Sequence, residues 1–427
     1  MIAKFRCVLV LATVLPFAVA DAAPPPGVDE WLDDNIDHLS DIYVALHRNP
    51  EVSYAEAQTA DRIARDWRAA GYDVTTGVGG HGVVAILKNG AGPTLMLRAD
   101  LDALPLQEKT GRDYASRNEG VMHACGHDIH MTNLTGVAGY FSGHREAWRG
   151  TLMLVGQPAE EVGGGAKAML EDGLFERFEK PDAAIALHVS ADQPCGTVGM
   201  RPGYALANVD SVDITMRGRG GHGSKPETTI DPVMMAAELV ISLQTIVSRE
   251  TAPTEPAVVT VGSIHGGTKH NIIGDDCRLQ LTVRSYAPDV RGALLAAIRR
   301  KAEAVAAGYG ADAPEVSVTE GVPSLFNDED LTARVRPAIE AALGADSVVD
   351  NPPSMGGEDF SLYGQAGVPI VMFSLGSVTA ERLERYRAAG VGVPSLHSSQ
   401  YWPDPEETLR TGVRAMTAAA MTVIGTD

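Results

Sequence analysis

The chain has 427 residues, with 35 Lys plus Arg against 55 Asp plus Glu and a formal net charge of -20. Its 44% hydrophobic and 21% charged residues are enough to bury a core, which excludes a disordered chain. The acidity repels phosphate backbones and argues against nucleic acid as a partner.

Lys4 and Arg6 precede an apolar run over residues 8–20 that closes on small residues, the parts of a secretory signal over residues 1–23. That signal implies export to the periplasm or beyond. The run is too short to span a bilayer, and no other stretch approaches about 20 apolar residues, so no membrane span is expected. Cys7 leaves with the signal, and the odd number left over (Cys125, Cys195 and Cys277) is no disulfide framework.

From residue 28 to residue 70 the pattern is helical, with Leu39, Ile42, Tyr43 and Leu46 at spacings of three and four. Strands are expected over 83–87 and 94–98, a helix over 131–140, and buried strands over 151–155 and 183–188. Strands apolar on both faces and alternating with helices imply an α/β fold: a mixed, mostly parallel sheet covered by helices on both faces. The character changes near Asn208. A half-buried strand carrying Val212, Ile214 and Met216 is followed by a helix (231–249), two strands (257–264 and 278–286), a helix (288–307) and a strand (315–319). This β-α-β-β-α-β order is a split βαβ unit, a domain of its own over residues 207–320. The first character then resumes with a helix (330–342), a strand (369–375) and a helix (405–424). A larger α/β domain is thus built from residues 28–206 and 321–427, with the α+β domain inserted.

The densest cluster of metal-ligand types is His123-Ala-Cys125-Gly126-His127-Asp128. Thiolate and imidazole both bind zinc-like metals, and the glycine between them lets the backbone turn tightly. Glu160-Glu161 follows one buried strand and His188 ends another, where open α/β sheets keep their sites; His397 lies in a distant loop. A dinuclear site fits this inventory, since two ions about 3.5–4 Å apart need a shared ligand and several more side chains. Cys125, His127, Glu161, His188 and His397 supply five. Glu160 is then free to take a proton from the attacking water and hand it to a leaving amine. After Arg98, Asp100 and Asp102 either orient a ligand histidine or cap the turn before Pro105. No G-x-S-x-G or H-E-x-x-H occurs, and the two G-x-G-x-x-G matches, at Gly77 and Gly218, lack the following helix that a dinucleotide site needs.

Five motifs occur in order: Arg98-Ala-Asp-Leu-Asp-Ala-Leu-Pro105, His123-Ala-Cys-Gly-His-Asp128, Gln157-Pro-Ala-Glu-Glu161, Gly357-Glu-Asp-Phe-Ser361 and Leu396-His-Ser398. Together they resemble the amidohydrolase branch of the aminoacylase/carboxypeptidase metallopeptidases, typified by hippurate hydrolase and indole-acetyl-amino-acid hydrolase. The resemblance implies a metallopeptidase catalytic domain with an inserted ferredoxin-like lid or dimerisation domain, and hence a homodimer or higher homo-oligomer. It makes Cys125 the bridging ligand between two divalent ions, with His127, Glu161, His188 and His397 around them. Glu160 becomes the general base and acid, and Asp102 stands behind the ligands. His222, in Gly220-Gly-His222, matches the histidine that approaches the oxyanion, often across a dimer interface. Asn271 and Arg284 match positions that could hold a substrate carboxylate. Ile129 replaces the usual glycine after His-Asp, and Lys225-Pro226-Glu227 replaces a typical Met-Pro-His; both departures bear on the substrate.

The expected activity is metal-dependent hydrolysis of a small-molecule N-acyl or N-aroyl amino acid, hippurate-like or ochratoxin-like, to a carboxylic acid and a free amino acid. The alternatives are a carboxypeptidase or dipeptidase on free peptides and a non-catalytic exported metal-binding protein. Zinc or manganese suits the mixed Cys, His and Glu set, and so do cobalt and nickel.

Overall fold

The computed structural model describes residues 23–426, so the apolar leader at residues 8–20 lies outside the described residues. The main sheet has eight strands in the order Asp73–Val78, Gly82–Asn89, Gly150–Gln157, Thr94–Asp100, Ala183–Pro194, Ile370–Val378, Val198–Met200 and Val348–Asp350. The four central strands run parallel to one another, the Asp73–Val78 and Gly82–Asn89 pair adds an antiparallel edge, and Val198–Met200 lies antiparallel to Ile370–Val378 on the other side. Every residue of Thr94–Asp100 and Gly150–Gln157 is buried, because helices cover both faces. On one face Leu95, Leu97 and Leu154 pack with residues of the helices Val28–Arg48, His127–Gly143 and Pro405–Ile424. On the other, Met96, Met153 and Val155 meet Met169, Phe360 and Tyr363. The chain thus has the α/β fold expected from its apolar strands.

The helical run expected over residues 28–70 is two helices, Val28–Arg48 and Ala57–Ala69. Pro50 disfavours helical backbone at the preceding residue, and Asn49 leaves the helix at φ -131°. The intervening loop, which carries Ser53, Tyr54 and Glu56, reaches the sheet's carboxyl edge.

Residues 208–320 hold a second sheet, ordered Ala257–Gly266, Asp276–Ser285, Asn208–Arg217 and Glu315–Glu320, with all neighbours antiparallel. Helices Pro232–Thr245 and Pro288–Gly308 pack on it around a separate core of Val212, Ile214, Met216, Leu239, Leu279 and Leu281. Burial alternates strictly along Asn208–Arg217, as a sheet with one covered face requires. The strands that lead into and out of this unit lie side by side: Asp210 is opposite Glu320, and Val209 N–H donates to Val322 O at 3.0 Å. Among the described residues no helix is long and apolar enough to cross a membrane.

Candidate metal centre

The parallel strands deliver their carboxyl ends to one crevice. Gly150–Gln157 runs into Pro158-Ala159-Glu160-Glu161, Thr94–Asp100 into Asp102, and Ala183–Pro194 carries His188. The helix His127–Gly143 begins beside them. Its cap, Gly126, sits at φ 79°, a left-handed conformation that turns the chain between Cys125 and His127. A Cβ at Gly126 would lie 2.4 Å from Val189 Cγ2, so the position needs glycine for space as well as for backbone freedom. His397 arrives from the far end of the sequence. Its N–H donates to Ala124 O at 2.9 Å, and its own φ is 64°.

Cys125 Sγ is 3.4 Å from His188 Nε2 and 3.3 Å from His397 Nε2. His397 Nε2 lies 3.4 Å from Glu161 Oε2, and His127 Nε2 lies 3.8 Å from Glu161 Oε1 and 3.9 Å from Glu160 Oε2. Two triads, Cys125/His127/His188 and Cys125/Glu161/His397, each bring their ligand atoms within 4.8 Å of one another, and Cys125 is common to both. The histidines are oriented from behind. His127 Nδ1–H donates to Asp102 O at 2.8 Å, and His188 Nδ1–H to Val189 O at 2.8 Å. Each Nε2 therefore presents a lone pair to the cluster. Asp102 Oδ2 accepts from the Ser53 hydroxyl at 2.6 Å and from Glu161 N–H at 3.0 Å, tying the ligand strand to the loop after the first helix.

A cation fits these donors. His127 Nε2 and Glu161 Oε1 are buried without a hydrogen-bond partner, and their separation is too long for a hydrogen bond but suits two ligands about 2.0–2.2 Å from one ion. Without a cation the charges are unfavourable. Burial pushes the Cys125 thiol well up, and burial together with Glu358 and Asp359 pushes the Glu160 carboxyl well up. Nearby positive charge reverses both effects.

Behind the cluster lies a network in which sequence reasoning gives a role to Asp100 alone. The guanidinium of Arg98, fully buried, donates to Asp100 (2.7 Å), Glu358 (2.9 Å), Asp359 (3.0 Å) and Gln157 (3.0 Å). Oxygens of Glu160, Glu358 and Asp359 come within 4.8 Å of one another. Asp100 also accepts from His130 Nδ1–H at 2.7 Å, and His130 Nε2 accepts Val189 N–H at 2.9 Å, beside His188. Asp100 thus orients a histidine, but one that stands behind the ligands. The sequence signal for this network is a charged residue inside an apolar strand, since a buried charge is costly unless paired.

Cys125, Glu160, Glu161, His188, His397 and Arg284 line one cleft of about 1720 Å³ between the large sheet and the inserted domain. Arg284 stands on the inserted domain's side, and its Nη1 donates to Met355 O at 2.6 Å. His222 and Asn271 do not line this cleft. They sit exposed on and beside a small ribbon, where Ile272 pairs with His222 and Gly223 N–H donates to Asn271 O at 2.9 Å. Cys125, Cys195 and Cys277 are all unpaired.

Comparison with known proteins places this geometry. The chain is 39% identical over 319 residues to an N-acetyl-L-cysteine deacetylase of Bacillus subtilis, covering 74% of this chain and 75% of that protein. It is 36% identical over 384 residues to thermostable carboxypeptidase 2 of Saccharolobus solfataricus, covering 89% and 93%. The crystal structure of a Bacillus subtilis protein described as a dinuclear metal binding peptidase of the M20 family superposes with a TM-score of 0.77 at 31% identity, covering 92% of this chain and 99% of that one. The profile of peptidase family M20/M25/M40 matches residues 96–421, and with the ligand-type residues gathered at the carboxyl edge of such a sheet, the chain belongs to that family and is an amide-bond hydrolase of it.

Proposed function

We propose that the protein is a dinuclear metal-dependent amidohydrolase that cleaves N-acyl or N-aroyl amino acids. The observation that carries this reading is the pair of triads sharing Cys125, with the Glu160 carboxylate left over beside them. Cys125, common to both triads, would be shared by the two ions, and His127, Glu161, His188 and His397 would hold them with it. Zinc or manganese suits this mixed thiolate, imidazole and carboxylate set. Bound there, the ions would polarise the amide carbonyl and lower the pKa of an attacking water. Glu160 takes a proton from that water on one carboxylate oxygen and returns it to the departing amine nitrogen. Asp102 holds the tautomer of His127 through its backbone carbonyl, with its carboxylate 3.3 Å from the same ring nitrogen. Arg284, across the cleft, offers a guanidinium to the substrate's carboxylate. Similarity to a deacetylase of an N-acetyl amino acid supports this substrate class.

His222 and Asn271 serve a second copy in this reading. Both are exposed and outside their own cleft, so a homodimer formed through the inserted domain would bring them to a neighbouring cleft. The basic start and apolar leader of the sequence support export, to the periplasm or beyond. Similarity to a carboxypeptidase favours a second reading, in which the acyl group is a peptide.

Glu160→Gln tests the assignment. It keeps metal content at the wild-type level while turnover on hippurate falls by about 10²–10⁴-fold. Turnover within a few-fold of wild type would remove Glu160 from the mechanism. A screen varying acyl group and amino acid separately decides between N-acyl amino acids and free peptides.

A further inference from the structure

The loop between the first two helices places an unusual residue at the mouth of the cleft. Tyr54 is 59% exposed, lines the cleft beside Glu160 and Glu161, and sits at φ 65°. A bulky residue rarely adopts that left-handed backbone, which persists only where surrounding contacts impose it. Here the contact is Glu56. One buried carboxylate oxygen of Glu56 accepts both Tyr54 N–H at 2.9 Å and Ala159 N–H at 2.8 Å. Ala159 is itself at φ 50° and directly precedes Glu160. Two strained residues are therefore clamped by a single atom, which fixes Tyr54 relative to the reacting carboxylates.

The ring is also fitted to its surroundings. Its hydroxyl lies over Gly164, where a Cβ would come within 2.0 Å of it, and Val162, likewise 59% exposed, stands beside that glycine. Tyr54 and Val162 present apolar surface to the same cleft that Arg284 lines. In the pose proposed above, with the substrate's carboxylate on Arg284 and its amide at Glu160, the acyl end is the part left to meet Tyr54 and Val162.

We propose that Tyr54 is a specificity-determining residue whose ring packs against the acyl group of the substrate, favouring aromatic or other bulky apolar acyl groups over acetyl. This rests on reading the cleft as an amide-hydrolysing site. The test compares N-benzoyl and N-acetyl derivatives of one amino acid on metal-loaded wild type, Tyr54→Ala and Tyr54→Phe. In Tyr54→Ala the benzoyl-to-acetyl ratio of kcat/KM falls about tenfold, through KM for the benzoyl substrate, as expected for losing one stacked apolar face. Tyr54→Phe keeps the wild-type ratio, because the ring remains. An unchanged ratio in Tyr54→Ala, with both substrates affected alike, would overturn the proposal. Calorimetric binding of benzoate and acetate to the same proteins separates this from the reaction itself. If wild type hydrolyses neither substrate, the amidohydrolase reading fails, while benzoate affinity still decides Tyr54: a roughly tenfold loss in Tyr54→Ala with acetate affinity unmoved supports it, and equal benzoate affinity overturns it.

Discussion

Gly126→Ala is the sharpest test of how the backbone builds the metal centre. The substitution adds one methyl group between Cys125 and His127. At φ 79° an alanine pays roughly 1–2 kcal/mol for left-handed backbone. The new Cβ would sit 2.4 Å from Val189 Cγ2, against about 3.5–4.0 Å for a relaxed carbon contact, so something must move by more than 1 Å. Overpacking of that size costs about 1–3 kcal/mol, giving a total of about 2–5 kcal/mol. If the Cys125–His127 turn is what moves, donors that must lie within a few tenths of an ångström of an ion lose their geometry. The expected result is a metal content below one ion per chain by elemental analysis, with lower stability in urea. Val189→Ala added to Gly126→Ala removes the overlap and recovers the packing part, leaving the backbone part, when each is referred to Val189→Ala alone. Wild-type metal content and stability in Gly126→Ala would refute the reasoning.

Cys125→Ala removes the one group common to both triads, so metal content should fall more than for loss of His188 or His397 singly, again by elemental analysis. Arg98→Met leaves Asp100, Glu358 and Asp359 buried without their shared cation, and urea unfolding should show a loss of about 3–5 kcal/mol. His47 gives a pH signature. Burial pushes its pKa down, but hydrogen bonds to Asp128 and Glu108 outweigh that and raise it from 6.5 to about 9. A group raised on folding stabilises fully below its unfolded value, so this contribution is present below pH 6.5 and disappears as pH rises through 9. Unfolding followed across pH 6 to 10 should show that decline in wild type and its absence in His47→Gln.

The strands that hold the centre are legible because they are apolar on both faces, a pattern that only a doubly covered sheet tolerates. The edge strand Asp73–Val78 is not, since only Val78 of its six residues is buried and its polar and apolar residues carry no period. Short strands such as Val198–Met200 offer too few residues for any alternation to show. At the centre, Cys125 and His127 announce themselves by type and spacing. The carboxylates around Arg98 do not: Glu358 is 260 residues away, and proximity at that separation is a property of topology, not of local pattern. Tyr54 and Glu56 are equally silent, because a left-handed tyrosine leaves no mark on composition or period.

The adjacency of the strands at Asp210 and Glu320 gives the unit over residues 208–320 the joining geometry of an insert. Its two ends cross the boundary side by side, so the rest of the chain meets it as it would meet a tight turn. Lengthening, reshaping or exchanging the unit need not shift the register of any strand that carries Cys125, Glu161 or His188. The wall that bears Arg284 can therefore drift through sequence space at its own pace while the hydrolytic centre stays still.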